Sequence, residues 1–421
     1  LFASTYGDIF NQYETMAHVA RRIGPMVRNV FKAGPFAGVP ISDAFAEAAQ
    51  QQSAVIYRLP TIQWPANAQP TVTPLGKYVA GTKITNALSL SADVLIILYT
   101  DQETMALLDV MTGNPAWDAS AKADWCLYAH NFDKFKSLIS NTKANDTLAG
   151  GAFGLLSAMT IAGKRVVLYK SELHPKQDGP GLPFVPVIQQ LISELAPNLV
   201  LTTGTAGAIG SRIGCGDVAI SAAGRLHCQK NYPKYPSIAT LTTGNTELTS
   251  DVVKFDREYL QYAATHLTSL SLPGLAQCYQ RLRTIPGYSF VEKNTLAPAI
   301  YQTGVNPVPG PEPMVILSAD YMTTDDTSNA EHLQPLGIMN DTDDAFVFFA
   351  INQMPEAKRP HCLSVRNASE PQIEHSPFPS STSPADVVDI LKNIAGTIFG
   401  IYQYCTTLNS AFACWGIVAG L

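Results

Sequence analysis

The chain has 421 residues, 46% of them hydrophobic and 15% charged, with a formal net charge of −6 at pH 7. That apolar share can fill a large core, as one big domain or two ordinary ones. The acidic balance and the absence of a Lys/Arg-rich stripe argue against nucleic acid and against a basic membrane-surface role.

The first ~90 residues differ from the rest. Ile9–Val30 and Ser42–Gln52 have helical spacing, the second with Ser42 as N-cap. Arg58–Gly76, "RLPTIQWPANAQPTVTPLG", carries four prolines, which exclude a regular helix or a central strand. Residues 1–90 are therefore expected to form an N-terminal extension, packed on a main domain of residues 91–421 or on a second subunit.

From Asp93 the pattern changes. "DVLIILYT" (Asp93–Thr100) is a continuous apolar run, as a buried strand requires, and "DQETMALLDVM" behind it is helical. Arg165–Ser171 predicts a strand, Pro183–Ala196 a helix, and "NLVLTTG" and "DVAISA" two further strands. Pro313–Asp320 and His361–Ser369 continue the strands, "DDAFVFFAINQM" lies between them as a helix, and a last helix starts near Ser383. Pro233–Asn245 and Thr284–Pro313 look like inserted loops. Strands alternating with helices predict an α/β domain with a central, mostly parallel mixed sheet covered on both faces.

The ends and the cysteines bound the setting. No signal peptide is recognisable in Leu1–Ala20, which carries Asp8 and Glu14. Ile394–Leu421 has no charged residue, but Gln403, Thr406, Thr407, Asn409 and Ser410 interrupt it, so a buried or subunit-interface helix is expected rather than a membrane span. The seven cysteines form no CxxC pair and are expected to be buried thiols in a reducing, cytoplasmic setting. Sequons stand at Asn145, Asn340 and Asn367. No metal site and no cofactor is predicted.

In such a sheet, ligands sit beyond the carboxyl ends of the strands. Those ends supply Asp101, Gln102 and Glu103; Ser171, Glu172 and His174; Gly204, Thr205, Ala206 and Gly207; Asp320; and Arg366, Asn367, Ser369 and Glu370. The segment "GTAGAIGS" has neither the Lys of a phosphate loop nor the Gly-x-Gly of a dinucleotide fingerprint. On its own it is a tight strand-to-loop turn.

The run "LVLTTGTAGAIGSRIGCGDVAIS" resembles the signature of the nucleoside phosphorylase/nucleosidase superfamily: a hydrophobic strand, Gly-(Ser/Thr)-(Ala/Cys)-Gly, then Gly-Asp opening the next strand. "LIILYTDQETMALL", "RVVLYKS", "MVILSADYMTTDD" and "CLSVRNASEP" follow in the order of the methylthioadenosine/adenosylhomocysteine nucleosidase branch. A fainter resemblance links "DDTSNAEH" and "IMNDTDDAF" to fungal purine nucleoside permease-like proteins. The resemblance implies a three-layer phosphorylase/hydrolase-like fold. It also implies cleavage of the N-glycosidic bond of a purine nucleoside in a homodimer or larger assembly, for which the apolar C-terminus offers a surface.

The same resemblance implies roles. Glu370 after Ser369 stands where the family has the acid that protonates the leaving purine, as Glu in place of Asp. Glu103 matches the loop acid that orients the attacking water. Thr205, Ala206 and Gly207 are the bare backbone against the nucleoside. Asn340 or Asp341 takes the place of the ribose-binding Glu, a departure from the family's Met-Glu, with Asp343 and Asp344 as helix-face charges. Asp320 joins the substrate-binding rim, and Tyr232, Tyr235 and Tyr321 are candidates to line the base. Thr202-Thr203 stands where phosphorylases carry an Arg, which favours water over phosphate; Arg212, Arg225, Lys170 and His174 leave phosphate open. The alternatives are a phosphorylase of the same fold and a non-catalytic nucleoside-binding or transport-related protein.

Overall fold

The computed structural model describes residues 62–79, 81–86, 90–112, 125–139, 146–175, 183–210, 212–228, 247–251, 253–267, 288–289, 298–303, 313–320, 323, 333–372, 374–375 and 384–421. In chain order these build β1 (Thr71–Thr73), β2 (Lys83–Ile84), β3 (Val94–Leu98), α1 (Asp101–Thr112), β4 (Cys126–Tyr128), β5 (Gly154–Ile161) and β6 (Lys164–Ser171). Then come α2 (Phe184–Leu195), β7 (Leu199–Ala208), β8 (Val218–Ser221), β9 (Ala223–His227), β10 (Glu247–Thr249), α3 (Arg257–Ala264), β11 (Tyr288–Ser289) and β12 (Ile300–Gln302). The chain ends with β13 (Ile316–Ala319), β14 (Met339–Asp341), α4 (Asp344–Asn352), β15 (His361–Pro371), β16 (Glu374–His375) and α5 (Pro384–Gly420). The helices predicted at Ile9–Val30 and Ser42–Gln52, the loop Pro233–Asn245, Asn145, and Tyr232, Tyr235 and Tyr321 lie outside the described residues.

Fourteen strands form one mixed sheet, in the order β10-β9-β13-β14-β7-β3-β6-β5-β4-β2, with β1 on β5, β15 on β7 and β8, and β12 on β8. β6, β3, β7 and β15 are parallel neighbours, buried on both faces. Alternation sorts their side chains. Val94, Ile96 and Leu98 face the layer of α1, α3 and α5. Leu95, Ile97 and Tyr99 face the layer of α2 and α4. The chain bends at Ala222, so that β8 pairs with β15 while β9 pairs with β13. Since β13, β14, β7 and β15 are successive neighbours, this part of the sheet closes on itself.

Three expectations are altered or narrowed. The Gly-Thr-Ala-Gly segment is strand, not turn: β7 runs on to Ala208, because β15 pairs with it along its whole length and β14 takes the other edge at Gly207 and Ala208. The described part of the extension packs on the main domain: β1 and β2 add short strands to the sheet, and Trp64 stacks on Trp415 with ring centroids 4.8 Å apart. The apolar C-terminus is not a free surface. Leu408, Phe412, Cys414, Trp415, Ile417 and Val418 are buried within this chain. Its polar residues bond inward: Asn367 Nδ2 donates to Thr406 Oγ1, Ser410 Oγ to Asn367 Oδ1 and Asn409 Nδ2 to the Gly216 carbonyl, each at 2.8 Å. Among the described residues no helix is long and apolar enough to cross a membrane. The six described cysteines are buried, and burial leaves no room for a glycan on Asn340 or Asn367.

Candidate functional site

α1 begins with a capping box, Thr100-Asp101-Gln102-Glu103. The Glu103 amide donates to Thr100 Oγ1 at 3.2 Å, and the Thr100 amide returns a bond to Glu103 Oε2 at 2.9 Å. The other oxygen, Oε1, crosses to β7 and accepts from both the amide and the hydroxyl of Thr205, each at 2.7 Å. Glu103 is buried and Thr205 half-buried, so Thr205 is the outward contact of this pair. Gly204 makes the approach possible. A methyl group there would collide with the Glu103 carboxylate and stand 2.8 Å from Arg366 Nη1, and its φ of +147° suits glycine.

Arg366, on β15 opposite Gly204, is fully buried. Its Nε and Nη2 donate to both oxygens of Asp344, Nη2 lies 2.9 Å from Asp341 Oδ2, and Nη1 donates to the Thr205 carbonyl at 3.0 Å and stands 4.0 Å from Glu103 Oε1. The guanidinium also lies over the Tyr99 ring, 5.2 Å from its centroid. Thr202 Oγ1 donates to Asp344 at 2.5 Å, Ser364 donates to Asp344, and Ser318 donates to Asp341. Burial pushes Asp344 up, but Arg366 and the hydroxyl donors hold it below the usual carboxylate range. Burial, and then the neighbouring Asp344 charge, push Asp341 well up. Asp343 and Asp344 are not helix-face charges: the start of α4 faces the sheet, and both are buried.

Two further pairs occupy the rim at β6. Lys170 Nζ lies 2.6 Å from Glu172 Oε2, both side chains buried, and His174 Nδ1 lies 3.8 Å from Asp343 Oδ1. Burial pulls the His174 pKa down, but Asp343 raises it overall.

On the other side of Gly204, β14, β7 and β15 bring Asn340, Gly207 and Glu370 into register. A β-bulge lies between Ala368 and Glu370, at Ser369. Ser369 Oγ donates to the Ala206 carbonyl at 3.3 Å and also reaches Glu370 Oε2. Glu370 is half-buried. Asn340 Nδ2 donates to Thr323 Oγ1 at 2.7 Å. A methyl group on Gly207 would run into Gln372 Nε2 and lie 3.5 Å from Glu370 Oε1.

Of the residues singled out from sequence, the fold thus gathers Glu103 and Thr205 on one side of Gly204. Ala206, Gly207, Asn340, Ser369 and Glu370 gather on the other. Asp341 sits beneath, on Arg366. Asp320 is fully buried at the end of β13, and its charge adds to burial in raising the Cys228 thiol. The sequence places Arg366 on the rim and Asp344 on a helix face, with nothing to pair them, and does not single out Gln372. The signal for Arg366 was a guanidinium in the middle of a strand predicted to be buried, where a charge demands a buried counter-charge.

No protein-family model matches the sequence, and no curated protein matches it. Among solved structures, the chain is similar to a 5′-methylthioadenosine/S-adenosylhomocysteine nucleosidase from Neisseria meningitidis, at 16% identity and TM-score 0.42 over 78% of this chain and 100% of that one. It is similar to futalosine hydrolase of Helicobacter pylori at 12% identity and TM-score 0.40, over 78% and 97%. It is similar to the corresponding nucleosidase of S. pneumoniae at 13% identity and TM-score 0.38, over 78% and 98%.

Proposed function

We propose that the chain cleaves the N-glycosidic bond of a purine nucleoside, with water as nucleophile and free base and ribose as products. The observation that carries this reading is the row across three strands: a half-buried carboxyl, Glu370, and a buried amide, Asn340, flank the bare backbone of Gly207. Glycosidic cleavage needs a proton on the departing base and a platform for the sugar. Glu370, with Ser369 on its carboxyl, is the proton donor, and Asn340 is the hydroxyl partner. Glu103 acts on the water through Thr205, whose hydroxyl already donates to it and can accept from a water on its outer side.

Water rather than phosphate is supported by the state of the cations. Arg366 and Lys170 lie on carboxylates at Asp344 and Glu172, and Arg225 pairs with Glu247. A dianionic phosphate needs such groups for itself.

The test is a product assay with adenosine, inosine, methylthioadenosine and adenosylhomocysteine, each with and without phosphate. Free base together with the free sugar, which is ribose from adenosine or inosine and the 5-thio-substituted ribose from the other two, at a rate independent of phosphate, is the expected result. Base release only with phosphate would replace the hydrolase by a phosphorylase. Binding without any base release would favour a nucleoside-binding protein.

A further inference from the structure

Gln372 lies two residues beyond Glu370 on the same strand, and no part of the proposed chemistry uses it. Its side chain is 5% exposed, and its Oε1 accepts no hydrogen bond among the described residues. Asn340 repeats the pattern, 6% exposed with Oδ1 unpartnered while Nδ2 is held by Thr323. Buried amide oxygens are rarely left so, because the group loses its water without gaining a donor.

The two oxygens belong to one surface. Gly207 and Asn340 are directly opposed in an antiparallel pair, so their Cβ directions lie on the same face. On that face the Cβ direction of Gly207 points at Gln372 and Glu370. Three polar side chains therefore surround one bare glycine. Two donors nearby are engaged elsewhere: Ser369 Oγ bonds Ala206 and Glu370, and the backbone N–H of Gln372 bonds the Ala208 carbonyl at 2.8 Å.

We infer that Gln372 is a specificity-determining residue, whose side-chain oxygen accepts a hydrogen bond from the base that Glu370 protonates. This rests on the nucleosidase reading. If Glu370 serves N7, the neighbouring substituent on that edge of a purine is the one at C6. An acceptor at Gln372 matches an exocyclic 6-amino group, which donates, and repels a 6-oxo group, which also accepts. A site built to bond a donor discriminates against the analogue lacking it, since the buried acceptor is then left bare.

The experiment is equilibrium binding of adenine and hypoxanthine to the full chain by calorimetry, for the wild type, Gln372→Leu and Gln372→Glu. The wild type is expected to prefer adenine by about tenfold or more, the effect of one buried hydrogen bond. Gln372→Leu should lose that preference, and Gln372→Glu, which as a carboxylate can only accept, should keep it. Equal binding of the two bases by the wild type overturns the inference even if Gln372→Leu does not fold. So does an unchanged preference in folded Gln372→Leu, which would mean that a water fills the acceptor. Either result leaves the nucleosidase reading standing. Failure of the wild type to bind either base or to cleave any nucleoside overturns that reading and the inference together.

Discussion

Glu103 meets two demands with one side chain. One oxygen completes the cap of α1 and the other fastens Thr205 of β7, so the carboxylate is enclosed and touches the ligand side only through a hydroxyl. Glu370 is the opposite case: it is half-buried on β15, and Ser369 donates to its carboxyl. That difference suits an acid that must deliver a proton. Glu370→Gln keeps the shape and removes the proton, and should lower kcat for purine release by about 10²–10⁴ while leaving KM within a few-fold; full retained rate would show that Glu370 is not the acid. His174 supplies a pH dependence. Its pKa is raised in the folded state, burial notwithstanding, by Asp343. Its contribution to stability is therefore complete below the unfolded value of about 6.5 and fades as pH rises through the folded value. Denaturant titrations should find His174→Gln less stable than wild type at pH 6 and equal to it at pH 9.

At the scale of elements, the junction of β7, β15, α1 and α4 is held by a single cation. Arg366 links Asp344 at the start of α4 and Asp341 at the end of β14 to the Thr205 carbonyl on β7, and stands near Glu103 of α1. Removing it leaves buried carboxylates uncompensated. Arg366→Leu should destabilise the fold by about 3–5 kcal/mol, read as a lower urea midpoint, with much of the loss recovered by protonating the carboxylates in acid. The strands of this junction were legible as apolar runs. The β5–β6 hairpin was not: its turn, Ala162-Gly163, has φ of 48° and 77°, a left-handed pair usually announced by Asn-Gly or Asp-Gly. The extension of β7 through Gly204–Ala208 was also hidden, since glycine and alanine give no strand signal and pairing partners more than 130 residues away, on β14 and β15, decide the conformation.

Across the whole molecule, α5 closes the sheet. Its apolar residues cover β7 and β15, while Thr406, Asn409 and Ser410 bond to Asn367 and the Gly216 carbonyl. Asn367 follows Arg366 in β15 and faces the opposite layer, so one strand ties both layers to the sheet beneath the site. Asn367→Ala removes the bonds that tie Thr406 and Ser410 to β15, leaving their hydroxyls on the carbonyls of Gln403 and Thr407 within α5, and should cost about 1 kcal/mol. Thermal denaturation checks this, and a wild-type melting temperature would show that α5 is held by apolar packing alone.

The sequence by itself determined the α/β class, the main strands and helices from Val94 to the C-terminus, and the family resemblance around Gly204. Those features are local: runs, periods and short motifs carry them. It also marked Glu103, Thr205, Gly207, Asn340, Ser369 and Glu370 as a group. The tertiary structure alone decided that Asp344 and Asp341 share Arg366, that α5 is covered by its own sheet, and that Gln372 stands over Gly207. Each depends on which strands become neighbours and on which face a side chain emerges. Shifting a strand register by one residue reverses that face, and no local pattern near Asp344 or Gln372 encodes it.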